Sequence, residues 1–456
     1  MADTSVNSFA TDAFEPLVVE QDIQGISRPS LSYWQDAWLR LKANHRALVS
    51  LWIIIGLLLF TFLGPALWTV DPTIQDVEQI SQAPGADRTV TLVDEYTVWQ
   101  GSSNTADAGL QIIGTATTQH VRLIWGDFSP QYGYRVYRTP YASGPERAFG
   151  LPLAVTNKPF FEDRLDLHPK SYFYNIVALD HNGNDTNQYE TIETDVSRVI
   201  TIEEARERGL VGPLESPTPG TTYELAFHPL GTDYLGRDML ARLMHGARIS
   251  LFIGFFAPLL YVLIGVVYGS TAGFVGGVTD QLMMRFADFV VALPFLLFMI
   301  LFKVMTNTGP GESGILPMLF AMVVLLWPAT ARLVRGQILQ IREEGYISAS
   351  RLLGAKTNYL VLRHMIPNTM GVILVTITFA VPSAIFTEAF LSFIGMGVAP
   401  PTPSWGSMCN DGIKTMLTHP HELIFPAAFI SVTVLAFNML GDGLRDALDA
   451  RMRNRE

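Results

Sequence analysis

Five stretches of this chain carry no Asp, Glu, Lys or Arg: residues 47–70, 249–279, 313–331, 365–387 and 423–441. Each is long enough to cross ~30 Å of hydrocarbon as a helix. A sixth apolar run, around 282–304, has Arg285, Asp288 and Lys303 near its ends. Between the first and second runs the pattern changes to period two. Val121, Leu123 and Trp125 alternate with polar neighbours, as do Tyr172, Tyr174, Ile176 and Ala178, and less regularly Tyr134, Val136 and Tyr137. That alternation predicts half-buried strands. His181-Asn182-Gly183-Asn184-Asp185 reads as a turn. Thr201-Ile202-Glu203-Glu204 reads as a capping box opening a short helix to about Gly209, and Ser216-Pro217-Thr218-Pro219-Gly220 as a linker. The expected fold class is an all-α polytopic membrane protein of six transmembrane helices with an inserted β-sandwich at about 110–200. The expected divisions are an N-terminal segment 1–46, a first span 47–70, an insert 71–228, a core 229–441 holding five spans and a polar loop 340–367, and a tail 442–456.

Charge orients this plan. Arg40, Lys42 and Arg46 precede the first span. Arg332, Arg335, Arg342, Arg351, Lys356 and Arg363 surround the 340–367 loop, and Arg445, Arg451, Arg453 and Arg455 follow the last span. The positive-inside rule puts these groups in the cytoplasm. Six crossings then place both termini and that loop inside and the insert outside. Arg237, Arg242 and Arg248 dissent, falling outside among Asp233 and Asp238. The first 20 residues are acidic and a long leader precedes the first span, so that span is expected to stay as an anchor. Residues 71–228 hold 22 Asp and Glu against 11 Lys and Arg, so the whole chain's excess of −11 lies in the insert. An acidic insert argues against a nucleic-acid partner. Cys409 is the single cysteine, so an outer domain must hold together by its core.

The loop 346–371 reads YISASRLLGAKTNYLVLRHMIPNTMG. Tyr346 to Leu353 are good helix formers, and Gly354 suits a C-terminal cap of positive φ. Ile347, Ser350, Arg351 and Gly354 share one helical face. This stretch resembles the cytoplasmic "EAA" loop of ABC-importer permeases, a Glu-Ala-Ala with a glycine six residues on and a proline thirteen beyond that. Ser348-Ala349-Ser350 stands in the EAA place, so the acidic residue is missing, while Gly354 and Pro367 keep the spacing. The resemblance implies a helix that fits a groove on a partner ATPase. It assigns that coupling to Tyr346, Ile347, Ser348, Ala349, Ser350, Arg351, Gly354, Ala355 and Pro367.

Four further segments resemble the C subunit of dipeptide/oligopeptide permeases in order: WQDAWLRLKANHRALV, HPLGTDYLGRDMLARLMHGARISL, EAFLSFIGMGVAPPTPSWGSMCNDG and FNMLGDGLRDALDARMR. Together they cover about 30–70 and 226–453. The insert departs from that family's usual short loop. Its VRLIWGDFSPQYGYRVYR, FFED and YFYNIVALDHNGN strings resemble a fibronectin type III sandwich, with another small β-sandwich as the alternative. Asp233 and Asp238 are expected to cap turns at a membrane surface. Pro400-Pro401-Thr402-Pro403 should stiffen an outer loop ending at Trp405, an interfacial aromatic. Gly265, Gly269 and Gly273 leave one face of the second span bare for close helix packing.

No phosphate-cradling G-x-x-x-x-G-K-[ST] occurs, nor HExxH or CxxC. The spans lack a chain of Asp, Glu and His for proton relay, with Glu388 nearly alone. The resemblance therefore implies a permease driven from outside the chain. It would bind no cofactor itself, with ATP and Mg on partner subunits. Its expected partners are a homologous second permease, two cytoplasmic ABC ATPases, an extracytoplasmic solute-binding protein and membrane lipid. Its expected place is a bacterial or archaeal cytoplasmic membrane. Di- or oligopeptides are the implied cargo, with nickel or another small solute as the alternative. A membrane-tethered adhesion or receptor protein needs only one span, and a stand-alone secondary transporter needs intramembrane charge relays.

Overall fold

The computed structural model describes residues 33–101, 109–126, 132–142, 149–165, 167–212, 215–306 and 314–448. Helix α1 (Tyr33–Ala43) breaks at Asn44, whose side chain accepts from the Arg46 and Ala47 amides at 3.1 and 3.3 Å. That cap starts α2 (His45–Leu67), an apolar helix matching the first charge-free run.

The segment after α2 folds into three sheets. Strand β1 (Thr89–Val93) comes first, then β2 (Gln111–Ile112), β3 (Val121–Ile124), β4 (Tyr134–Thr139), β5 (Pro152–Thr156) and β6 (Phe160–Asp163). Next come β7 (Ser171–Leu179), β8 (Asp185–Asp195), β9 (Val199–Thr201), the short helix α3 (Ile202–Glu207) and β10 (Thr222–Glu224). Sheets β2-β3-β6 and β5-β4-β7-β8 are antiparallel throughout. Their inward side chains share one core, in which Val121, Leu123, Trp125, Val136, Tyr174 and Ile176 are fully or almost fully buried. Trp125 meets Tyr134 edge-on at 5.4 Å. The alternating positions thus turn inward together. Asp163 is buried on the rim of this core and accepts from the Tyr174 hydroxyl at 2.7 Å and Arg138 at 2.8 Å.

The third sheet, β10-β1-β9, has its own core of Val90, Leu92, Ile200, Ala205, Val211 and Leu225. Thr201 caps α3 through the Glu204 amide, and Gly209 sits at positive φ behind it. The expected linker at 216–220 differs. Its end is pinned to β1, with the Gly220 amide on the Leu92 carbonyl and the Leu92 amide on the Thr221 carbonyl, both at 2.8 Å.

The remaining helices are α4 (Met239–Val275), α5 (Gly277–Ala292), α6 (Phe295–Met305), α7 (Ile315–Arg342), α8 (Gly345–Leu352), α9 (Thr357–Leu360), α10 (Ile366–Phe393), α11 (Trp405–Thr415) and α12 (His421–Leu448). Among the described residues five helical segments are long and apolar enough to cross a membrane: α2, α4, α7, the run 357–393 and α12. The sixth expected span is a bent pair, α5 with α6, turned by 81°. Pro294 explains the break: it lacks an amide donor and drives Leu293 into an extended conformation (φ −72°, ψ 124°). The pair still joins opposite ends of the bundle. Asp280 of α5 pairs with Arg335 near the C-terminus of α7, while Lys303 of α6 reaches the Gly395 carbonyl beyond α10.

Helix α4 packs along α7 on the glycine face. A Cβ on Gly265 would lie 2.6 Å from Thr330 Cβ and 2.9 Å from the Trp327 carbonyl oxygen. One on Gly269 would collide with the Ala331 carbonyl oxygen, and one on Gly273 would lie 3.0 Å from that of Arg335. Helix α10 then packs on α4 and α12, and α12 on α2 and α11.

Candidate functional site

Helix α8 hangs from the end of α7 and turns back toward α10. Leu353 N–H donates to the Ala349 carbonyl, Gly354 N–H to Arg351 and Ala355 N–H to Ser350, all near 3.1 Å, and Gly354 has φ +85°. The local sequence therefore makes the expected glycine-capped helix. Its orientation differs from the expected face. Ile347 is fully buried in the bundle core, Arg351 lies over the Phe274 ring at 5.3 Å, and Ser350 bonds back to the Tyr346 carbonyl. An apolar Ile347 beside the core residues of α4 and α7 gains more by turning inward. The outward face is instead Ser348, Ala349, Leu352 and Leu353. Leu352 and Leu353 are 90% and 89% exposed. The sequence signal for them was a Leu-Leu pair one turn from the buried Ile347.

Tyr346 is exposed, and its hydroxyl accepts from Asn368 at 2.7 Å; Ala355 is half-buried. Pro367 lies within the helical run 357–393, not at its start. The helix has already begun at Thr357, and a wider π-type stretch at Val361–Met365 precedes the proline. Pro367 has no amide to give to the Arg363 carbonyl, and the wider turn relieves that missing bond.

The opposite end of the bundle is a polar collar. Trp68 donates to Asp238 at 3.2 Å, and His228 bonds the other oxygen of Asp238 at 2.6 Å. Asp238 also caps α4 by accepting the Ala241 amide. Asp233 accepts the Leu235 and Arg237 amides and pairs with the guanidinium of Arg237 at 2.8 Å and of Arg242 at 3.2 Å. Both arginines also reach Asp411 at 3.4 Å. Burial pushes the Asp411 carboxyl above its usual range, and Arg242, Arg237 and Lys414 oppose that shift. Arg237 and Arg242 are buried in ion pairs, so they carry little weight in the charge rule that they seemed to violate. Gly231 and Gly236, both at positive φ, lie against the backbone of Gln82 and Asp76, and the Ser81 amide donates to the Asp233 carbonyl at 2.9 Å. The insert is thus seated on the end of the bundle remote from α8.

Trp405 is not an exposed interfacial aromatic. It is fully buried at the start of α11, donates to the Leu243 carbonyl at 3.1 Å and packs near Phe429 at 5.7 Å. The close approach of Gly406 to the Ala389 backbone draws it in. Glu388 is fully buried and accepts from Ser250 and Ser392, each at 2.8 Å. Ser250 in turn accepts the Trp405 amide and Ser392 that of Val398. This knot ties α4, α10 and the 394–405 loop; the sequence signalled only its lone intramembrane carboxylate. Among the described residues no group of His, Cys, Asp and Glu could hold a metal ion.

The geometry defines a polytopic helical membrane protein with a solvent-facing helix at one end and a seated β-rich insert at the other. Residues 265–454 match the binding-protein-dependent transport system inner membrane component, and residues 32–84 match the N-terminal TM domain of oligopeptide transport permease C. The oligopeptide transport system permease protein OppC of Bacillus subtilis is 51% identical over 226 residues, 50% of this chain and 72% of that protein. The dipeptide transport system permease protein DppC of the same organism is 48% identical over 253 residues, 54% and 78% of the two chains. A glutathione transport system permease protein of Escherichia coli is 42% identical over 226 residues, 50% and 73%. A solved inward-facing MetNI methionine ABC transporter aligns over 46% of this chain and 98% of its own at a TM-score of 0.39 and 17% identity. The chain belongs to the ABC-importer permease family of binding-protein-dependent transport systems, in its oligopeptide C-subunit branch. It is a multi-pass inner-membrane component of a transporter and not an enzyme. Neither family match covers residues 85–264, which hold most of the insert.

Proposed function

We propose that this permease forms half of the membrane path of an ATP-driven importer of di- or oligopeptides. The relatives named for oligopeptide and dipeptide transport support that cargo. A homologous second permease supplies the other half of the path. Two cytoplasmic ABC ATPases bind ATP and Mg, and a solute-binding protein delivers cargo from outside. Helix α8 with Gly354 and Ala355 is the coupling element, resting on an ATPase through Ser348, Ala349, Leu352 and Leu353. Ile347 and Arg351 anchor it to the bundle, so a push on α8 passes to α4 and α7. Both termini are cytoplasmic, and the insert stands outside as a fibronectin type III-like sandwich beside the mouth of the path. Nucleotide-driven closure of the ATPases then biases a bundle with two arrangements.

The observation that carries this reading is the pair of exposed leucines on a short helix at the end of the bundle remote from the insert. Gly354→Asp tests it. A side chain at φ +85° is strained, yet a Cβ there has nothing within 4 Å in the chain itself. The substitution therefore strains the turn that ends α8 without a clash elsewhere in the chain, and sets a charge on the docked face. Uptake of a tripeptide and transport-coupled ATPase activity in reconstituted vesicles are expected to fall at least tenfold. Wild-type values for both would refute the coupling assignment.

A further inference from the structure

A cleft of about 580 Å³ opens in the insert, with His419 from the loop before α12 at its edge, within the size range of small-molecule sites. Its walls come from the 77–86 segment, α3, the 167–170 turn of the β-rich insert, Arg198 and His419 from the loop before α12. Two opposite charges on these walls lack a directly bonded partner of opposite sign. Arg198 is only 9% exposed; one guanidinium nitrogen donates to the Asp87 carbonyl at 3.0 Å, and its buried Nε has no hydrogen-bond partner. Glu78 reaches Arg208 only at 3.9 Å, and Arg208 is already held by Asp76 at 2.7 Å and Glu204 at 2.6 Å. Burial lifts the Glu78 carboxyl above its usual range, with Glu204 adding to the shift. Arg198 and Glu78 attract one another across the cleft, with Asp87 and Asp76 adding to the field at Arg198, but among the described residues they make no ion-pair contact within 4 Å. Lys170 adds a second cation to the lining, and it shares an adjoining pocket with Arg198.

A buried guanidinium with a free donor is costly unless something completes it, and the half-buried Glu78 carboxylate on the same cleft lacks a close partner. We infer that this cleft binds a small zwitterion, a short peptide with free termini, whose carboxylate meets Arg198 and Lys170 and whose ammonium meets Glu78. The choice of a peptide rests on the importer reading above. The cleft would then hold cargo beside the mouth of the path, on the permease itself. All of its walls but His419 come from the insert, which gives the 71–228 segment a role in cargo handling.

The test uses the purified full chain in nanodiscs, without ATPases or binding protein, and isothermal titration with trialanine. Trialanine should bind, and N-acetyl-trialanine amide, which has neither charge, should bind at least tenfold more weakly. Arg198→Gln and Glu78→Gln should each weaken trialanine at least tenfold while the thermal transition of the chain is kept. If one variant does not fold, the other and the blocked peptide still decide. Equal binding of the blocked peptide, absence of binding to the wild-type chain, or binding that survives both substitutions would each overturn the inference. The last of these would place the peptide in the membrane path. Peptide uptake by the reconstituted importer is a separate readout: intact uptake with an inert cleft removes only the cleft, and a cleft that binds without any uptake removes the cargo assignment.

Discussion

Replacing Gly269 with alanine isolates the contact on which the bundle depends. A Cβ at that position runs into the Ala331 carbonyl oxygen and lies 3.0 Å from the Ala331 Cα. Carbon atoms rest at roughly 3.5–4.0 Å, so α7 must retreat by about half an ångström or more, and a backbone cannot swing aside as a side chain can. Overpacking of this kind costs about 1–3 kcal/mol. Alanine also favours helix over glycine by about 1 kcal/mol, which blurs the net effect. Gly336, inside α7, has nothing within 4 Å of a built Cβ, so Gly336→Ala reports the propensity gain alone. The difference between the two variants should be about 1–3 kcal/mol, with Gly269→Ala the less stable. Unfolding of each in mixed micelles at rising dodecyl sulfate, followed by tryptophan fluorescence, measures it. Two variants equal within about 0.5 kcal/mol would refute the claim that bare backbone at 265, 269 and 273 seats α4 on α7.

Cys409 is buried in α11, and burial first, with Glu388 second, pushes its thiol up to about 12. It should react with a maleimide at pH 7.5 about a thousandfold more slowly than an ordinary exposed thiol, read by mass spectrometry before and after unfolding; equal rates would contradict the buried position. Residues 106–200 expressed alone should melt cooperatively, and Asp163→Ala, which leaves the Tyr174 hydroxyl without its acceptor and Arg138 without its carboxylate, should cost about 3 kcal/mol. A gradual, non-cooperative melt would show that the two sheets need the bundle to fold.

The charge-free runs foretold where the long helices lie, because hydrocarbon tolerates few charges whatever the tertiary fold. They misjudged the helix ends. Helix α4 begins ten residues before its run, since Arg242 is neutralised by Asp233 and by Asp411, 169 residues away. No local pattern records such a partner. The alternating strands were legible for the same reason as the spans, one face being dry, and Trp125, Tyr174 and Ile176 all face inward. The small sheet of β1, β9 and β10 was not, because strands this short pair across more than a hundred residues. Gly354 could be read locally as a cap. Which face of α8 points outward could not, because Phe274 and the core around Ile347 decide it. Trp405 was misplaced for a like reason: its partners, the Leu243 carbonyl and the Phe429 ring, come from other helices.

Leu352 on α8 and Leu151 in the insert are almost equally exposed, at 90% and 89%, and sit at opposite ends of the molecule. A photo-activatable phenylalanine analogue placed at each in turn, in the assembled importer in its native membrane, compares the two ends directly. The account predicts that the probe at 352 cross-links to the ATPase subunit and the probe at 151 never does. Cross-linking of the ATPase to position 151, or none to 352 in an importer that still transports, would contradict it.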